Sequence, residues 1–210
     1  MAVHQQPPRH SALRLPQRRA ARSTNGNRTE AAAGERATSP VVGHVLAGVR
    51  VITGLVFLWA FLDKAFGLGY STPGNGAWID GGSPAEGFLG NVAVGPMEST
   101  FHSWAGDAWA DWLFMLGLFG IGLALVLGVA LRLAALGTTV MMALMWIAEW
   151  PPAKHLSDGS PSMSTNPLID YHVIYAAVAV ALAATYAGHT WGLGRIWARL
   201  PFVRDHRSLQ

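Results

Sequence analysis

From Val45 to Leu62 the chain carries one ionisable side chain, Arg50. A helix through this stretch, from about Gly43 to Gly67, is long enough to cross a hydrocarbon layer, which takes about 20 residues. In lipid a helix satisfies its own backbone polar groups, which an open strand cannot do. Three more apolar runs follow, at about 109–131, 133–150 and 168–189. The expected fold is therefore an all-α integral membrane protein, a four-transmembrane-helix bundle. Composition agrees: 13% of residues are charged and 51% hydrophobic, whereas soluble domains carry about 25% charged residues.

Punctuation along the chain sets the expected boundaries. Arg132 separates the second and third runs so tightly that they form an antiparallel hairpin, and Pro151-Pro152 stops the third. Asn166-Pro167 pairs a capping residue with a helix-opening proline before the fourth. Residues 70–107 are rich in Gly and Pro but contain two helix starts. Ser83-Pro84-Ala85-Glu86 reads as a capping box, and Gly95-Pro96-Met97-Glu98 opens a second short helix. Both are expected to be amphipathic and to lie at the outer interface. Gly120, Ala124 and Gly128 form a small-residue stripe suited to close helix contact.

Residues 1–40 hold Arg9, Arg14, Arg18, Arg19, Arg22, Arg28 and Arg36 among small and polar residues. Too little apolar surface is available there to bury a core, so the segment reads as a disordered basic tail. Its pattern is not that of a secretory signal peptide. The membrane domain is expected over 41–203, with a second tail over 204–210. Arg50 apart, every Arg falls on segments of one side, whereas the loops of the other side hold Asp80, Glu86, Glu98, Asp107 and Asp158. The positive-inside rule then puts both termini in the cytoplasm of a multi-pass cell-membrane protein. The same rule accounts for the net charge of +3, so nucleic acid is not an expected partner.

The chain has no cysteine. This excludes disulfides, cysteine-ligated iron–sulfur clusters and any thiolate or persulfide relay within it. Paired histidines on different helices are one way to hold a haem. His44 and His189 would lie near the inner side and His102 and His172 near the outer, a distribution that chance also gives. Neither haem nor an iron–sulfur cluster is expected.

Ionisable groups inside apolar spans cost roughly 2.5–3.5 kcal/mol each, so they are functional candidates. Lys64 ends the first span, Glu149 ends the third, and Asp170 and His172 open the fourth, all at the expected outer face. Arg50 and Lys64 share one face of the first helix, about 21 Å apart, with Gly54, Phe57 and Phe61 between them. Glu149, flanked by Trp146 and Trp150, calls for a cation, and Lys64 is the expected partner. His172, Asp170 and Tyr175 offer a hydrogen-bond donor and a proton acceptor to a quinone headgroup. Asp63 and Asp111 read as interfacial residues reaching lipid headgroups.

The first-helix run Val49-Arg50-Val51-Ile52-Thr53-Gly54-Leu55-Val56-Phe57-Leu58, followed by Asp63-Lys64-Ala65-Phe66-Gly67, resembles the opening helix of the DoxX family of membrane proteins. The segments Ala110-Asp111-Trp112-Leu113-Phe114-Met115-Leu116-Gly117, Ala148-Glu149-Trp150-Pro151 and Asn166-Pro167-Leu168-Ile169-Asp170-Tyr171-His172 resemble the actinobacterial branch related to DoxD, the large subunit of a thiosulfate:quinone oxidoreductase. The likeness covers about 41–203. It implies a four-helix membrane bundle that passes electrons from thiosulfate to membrane quinone, working with a small partner subunit. On this reading Glu149, Asp170 and His172 handle protons at the quinone, and Lys64, Arg50 and Tyr175 bind substrate. The alternative is a non-catalytic scaffold that docks a soluble redox or sulfur-transfer enzyme. A transporter or a haem protein ranks below both.

Overall fold

A computed structural model describes residues 40–206. The tail expectations for residues 1–39 and 207–210 lie outside them. The described chain is helical: α1 (Pro40–Phe66), α2 (Glu86–Leu89), α3 (Glu98–Trp104), α4 (Ala108–Leu127), α5 (Leu131–Glu149), α6 (Tyr171–Ala184), α7 (Gly194–Trp197) and α8 (Pro201–Arg204). Short 3₁₀ turns occur at Gly74–Gly76, Trp78–Asp80 and Ala187–His189. Extended pairing among the described residues is limited to one bridge between His155 and Pro161.

Three helices, α1, α4 and α5, are long and apolar enough to cross a membrane. Their surface is inverted relative to a soluble protein. Ile52, Leu113, Leu136 and Ile174 point outward, more than half exposed, while Arg50, Thr138, Asp63 and His172 are buried. Water would penalise such an exterior and lipid does not, so the chain is a membrane protein whose apolar faces meet lipid. The fourth apolar helix, α6, has 14 residues and spans about 21 Å. It starts at Tyr171, not at the Asn166-Pro167 signature. Asn166 instead accepts the Leu168 and Ile169 N–H groups at 2.9 and 3.0 Å in a turn of its own. Asp170 is the true N-cap, accepting from the N–H groups of His172 and Val173.

The helices pack in a row, α1 on α4, α4 on α5 and α5 on α6, with a smaller contact closing α6 onto α1. Two glycines permit the α1–α4 crossing. A Cβ at Gly54 would lie 2.8 Å from Val126, and one at Gly122 would lie 2.8 Å from the Leu58 nitrogen. Gly120 of the expected stripe has nothing within 4 Å of that position. Together with Ala124 it lines a groove between α4 and α5. The close contact with α1 thus comes from Gly122 and not from Gly120, while Gly128 of the expected stripe does meet another backbone, that of Gly188.

At the α4–α5 turn, the end of the bundle away from the long loop, Arg50 is fully buried. Its Nη1 donates to the carbonyls of Leu125 and, at 2.8 Å, Val126, and its Nη2 to those of Trp191 at 2.8 Å and Thr190 at 3.4 Å. The last carbonyls of a helix lack partners and carry partial negative charge. One guanidinium therefore caps α4 and ties it to the segment after α6. Gly128, at φ 70°, and Gly188 meet backbone to backbone beside it, so that a Cβ on Gly188 would land on the Gly128 carbonyl.

Gly188→Ala and Arg50→Met are both expected to lower the melting temperature of the detergent-solubilised protein by several degrees. Gly120→Ala should leave it unchanged or slightly higher. A scanning fluorimetry series reads all three, and an insensitive Gly188→Ala contradicts this packing.

Candidate functional site

The chemistry-bearing residues gather at the other end of the bundle, where α5 ends and α6 begins. Helix α5 closes on Glu149, and Trp150 turns the chain at φ 43° into Pro151-Pro152. The polar segment after it is braced by its own side chains: Ser162 and Ser164 donate to the carbonyls of Ala153 and Pro151, and Ser157 donates to Ala93. Hydrogen bonds from the Ser160 hydroxyl and N–H hold the exposed Asp158 carboxyl below the usual carboxylate range. Trp146 donates to the Leu168 carbonyl at 3.2 Å, which fixes the approach of α6 to α5.

Capping sets the centre of the site. The Asp170 carboxylate caps α6 through one oxygen and accepts from His172 Nδ1 through the other at 2.9 Å. An acceptor on that side makes Nδ1 the protonated nitrogen. His172 is fully buried, and its Nε2 has no hydrogen-bond partner. This atom faces Glu149 Oε1 at 3.9 Å, too far for a hydrogen bond. The same Oε1 accepts from the Tyr171 hydroxyl at 2.6 Å. Ligating atoms of Glu149, Asp170 and His172 all lie within 4.8 Å of one another. Glu149 is 38% exposed and Asp170 17% exposed, so the cluster is open on the Glu149 side and closed behind His172.

Of the residues singled out by sequence, Glu149, Asp170 and His172 come together. Lys64 does not join them. Its Nζ reaches Ser71 Oγ at 3.4 Å and lies 6.0 Å from the centre of the Phe114 ring. Glu149 accepts from the Tyr171 hydroxyl and faces His172 Nε2 at 3.9 Å in place of Lys64. Arg50 serves the carbonyls at the other end of the bundle, and Tyr175 sets its ring against Phe57, with centroids 6.1 Å apart. Tyr171 is the site residue that the sequence reading passed over. Its signal was its position next to His172, one residue inside the capping aspartate.

Asp63 and Asp111 are not headgroup contacts. Both are buried. Asp63 accepts from the Tyr70 and Ser71 N–H groups at 3.1 and 3.0 Å and from the Ser71 hydroxyl at 2.7 Å, holding the chain as it leaves α1. Asp111, on α4, accepts from the Ser83 hydroxyl at 3.0 Å and the Ala85 N–H at 2.8 Å. The Ser83–Glu86 capping box therefore does not form. The Ser83 hydroxyl donates to α4 instead, and α2 takes its N-terminal acceptor from there.

An apolar groove of about 680 Å³ runs between α4 and α5. Gly117, Gly120 and Gly137 help form its walls, and Phe88, Phe101 and Trp104 of the long loop line it at one end. Neither family models, characterised proteins nor solved structures match this chain.

Losing an acceptor beneath a buried N–H costs about 1–3 kcal/mol. Asp111→Ala should accordingly speed hydrogen exchange across residues 83–90, while leaving exchange in α5 and α6 as it was. Mass-resolved exchange on the solubilised protein measures this. Unchanged protection over 83–90 would show that Asp111 does not hold the loop.

Proposed function

We propose that this chain is a four-span bundle with cytoplasmic termini. In this reading it binds a membrane quinone at the Glu149–His172 cluster and passes electrons to it from thiosulfate or a similar anionic sulfur donor. The observation that carries the reading is the buried His172 Nε2, lacking a partner and backed by Asp170 through Nδ1. A carboxylate behind an imidazole fixes its tautomer and stabilises the imidazolium that forms when Nε2 takes a proton. Quinone reduction consumes two electrons and two protons. Oxidation of two thiosulfate ions supplies the electrons by forming one S–S bond, giving tetrathionate. Once protonated at Nε2, His172 gives a quinone oxygen a donor, and Glu149, held by the Tyr171 hydroxyl, gives protons a route to it.

The α4–α5 groove has the apolar lining that an isoprenoid tail requires. The fourth crossing is assigned to α6 together with the 3₁₀ turn at Ala187–His189, which extend the 14-residue helix toward the Arg50 end. The arginines beyond it and the acidic loops opposite set the orientation. The short helices α2 and α3 lie at the outer interface in this arrangement. Lys64, half-buried beside Ser71, is the cation near that face for an anionic donor. A small partner subunit completes the assembly by analogy with DoxD.

A second reading is favoured by the firm anchoring of residues 70–107 through Asp63 and Asp111. An acidic loop held this well suits a scaffold that docks a soluble redox or sulfur-transfer enzyme. A stoichiometric partner recovered from membranes, with no activity in the isolated chain, is the result that selects it.

Membranes containing the protein and its partner subunit should reduce a short-chain quinone analogue with thiosulfate. Glu149→Gln and His172→Ala should each lower the rate at least about tenfold, while Arg50→Lys should leave any residual rate tied to folded protein. A rate indifferent to both site substitutions, or no thiosulfate-dependent reduction in any partner background, would refute the redox reading.

A further inference from the structure

We infer that Glu149 and His172 form a binding site for a first-row divalent cation, with zinc as the best match. The inference does not rest on the redox reading. It follows from what the Glu149 and His172 atoms have and lack.

His172 Nδ1 is held as a donor by Asp170, so the neutral ring presents a lone pair at Nε2. That lone pair is buried and lacks a hydrogen-bond partner. Facing it at 3.9 Å is Glu149 Oε1, an acceptor when ionised. Two acceptors turned toward each other repel unless something positive lies between them. A shared proton does not span the gap, because a hydrogen bond between nitrogen and oxygen ends near 3.2 Å. A metal ion does. Zinc bonds of about 2.0–2.1 Å to imidazole nitrogen and about 2.0–2.2 Å to carboxylate oxygen reach just over 4 Å in total. The observed separation lies inside that limit, and rotation of the half-exposed Glu149 chain narrows the bond angle toward tetrahedral.

The surroundings are those of metal ligands. A ligating histidine usually donates its other ring N–H to a carboxylate, and a ligating carboxylate is itself hydrogen-bonded. Here Asp170 supplies the first and the Tyr171 hydroxyl, at 2.6 Å from Oε1, the second. Asp170 is committed to His172 and to the helix N–H groups, so it orients a ligand instead of binding the ion. With two protein ligands, the remaining positions fall to water or to an oxygen or sulfur of an incoming molecule. One imidazole and one carboxylate suit zinc, and also cobalt as its spectroscopic substitute, better than calcium or magnesium, which favour all-oxygen shells. An ion at this point and a quinone oxygen would compete for the same Nε2.

The test uses the full chain in detergent micelles, stripped with a chelator and titrated with cobalt(II). Visible d–d bands should appear and saturate at one ion per chain, and zinc should abolish them. His172→Ala and Glu149→Gln should each weaken binding at least about tenfold, with melting curves confirming that both variants are folded. His155→Ala, an exposed histidine in the neighbouring loop, should bind as the parent does. Absent bands, or binding that survives both site substitutions, would overturn the inference. Quinone reduction by metal-stripped protein is scored separately, so a failed metal site and a failed redox site give different results.

Discussion

A guanidinium buried within a lipid-facing bundle is tolerable only where oxygens replace most of its lost water, and at Arg50 backbone carbonyls do so for Nη1 and Nη2, while Nε is left without a hydrogen-bond partner. Those of Leu125 and Val126 come from the last turn of α4, and those of Thr190 and Trp191 from the chain beyond α6. A helix ending in lipid leaves carbonyls that no solvent can reach, and α4 ends next to α1. Arg50 therefore answers two desolvation problems with one contact. It also fixes the vertical register of α1 against α4, because the Gly54–Gly122 crossing brings these helices to backbone contact on the same face. Once α1 and α4 are locked, α5 follows through the short turn at Gly128, and the Gly128–Gly188 contact draws in the end of α6.

That register decides what meets at the other end. The last residue of α5 and the first residues of α6 arrive at one level, so Glu149 lies over Tyr171 and His172. Asp63 and Asp111 serve the same end differently. Each puts a carboxylate beneath backbone N–H groups of the long loop, holding it to α1 and α4 respectively. Buried charge in this protein thus has two uses. At Arg50, Asp63 and Asp111 it replaces backbone partners that water would otherwise provide. In the cluster, the buried His172 Nε2 faces the exposed Glu149 carboxylate without a hydrogen-bond partner, which leaves it open to binding something else.

Much of this was legible from the residues. Long apolar runs require spanning helices regardless of partners, and the bounds of α1, α4 and α5 fall within a few residues of the sequence reading. Glu149, Asp170 and His172 stood out because ionisable groups at the edge of apolar runs are costly. Other features depend on facts a single sequence does not encode. Lys64 and Glu149 both end apolar runs, but α1 packs chiefly on α4 and α5 on α6, and Lys64 reaches Ser71. Gly120 and Gly122 are both small, so spacing alone could not say which row faces α1. Asp63 and Asp111 are bonded to loop N–H groups, and nothing in their own neighbourhoods announces that. The cap of the fourth helix moved from Asn166 to Asp170 because both are capping residue types, and the proline after Asn166 favoured the wrong one. The one that also holds His172 begins the helix.

Arg50 and the Glu149–His172 cluster sit at opposite ends of the bundle, and in the proposed orientation the cluster faces outward. The chain has no cysteine, so single cysteines report side directly. Ser160→Cys in the loop beside the cluster and Ala198→Cys beyond the Arg50 end can each be exposed to a membrane-impermeant maleimide on intact cells. The account predicts labelling of Ser160→Cys at once and of Ala198→Cys only after permeabilisation. Labelling of both positions from the same side would contradict it.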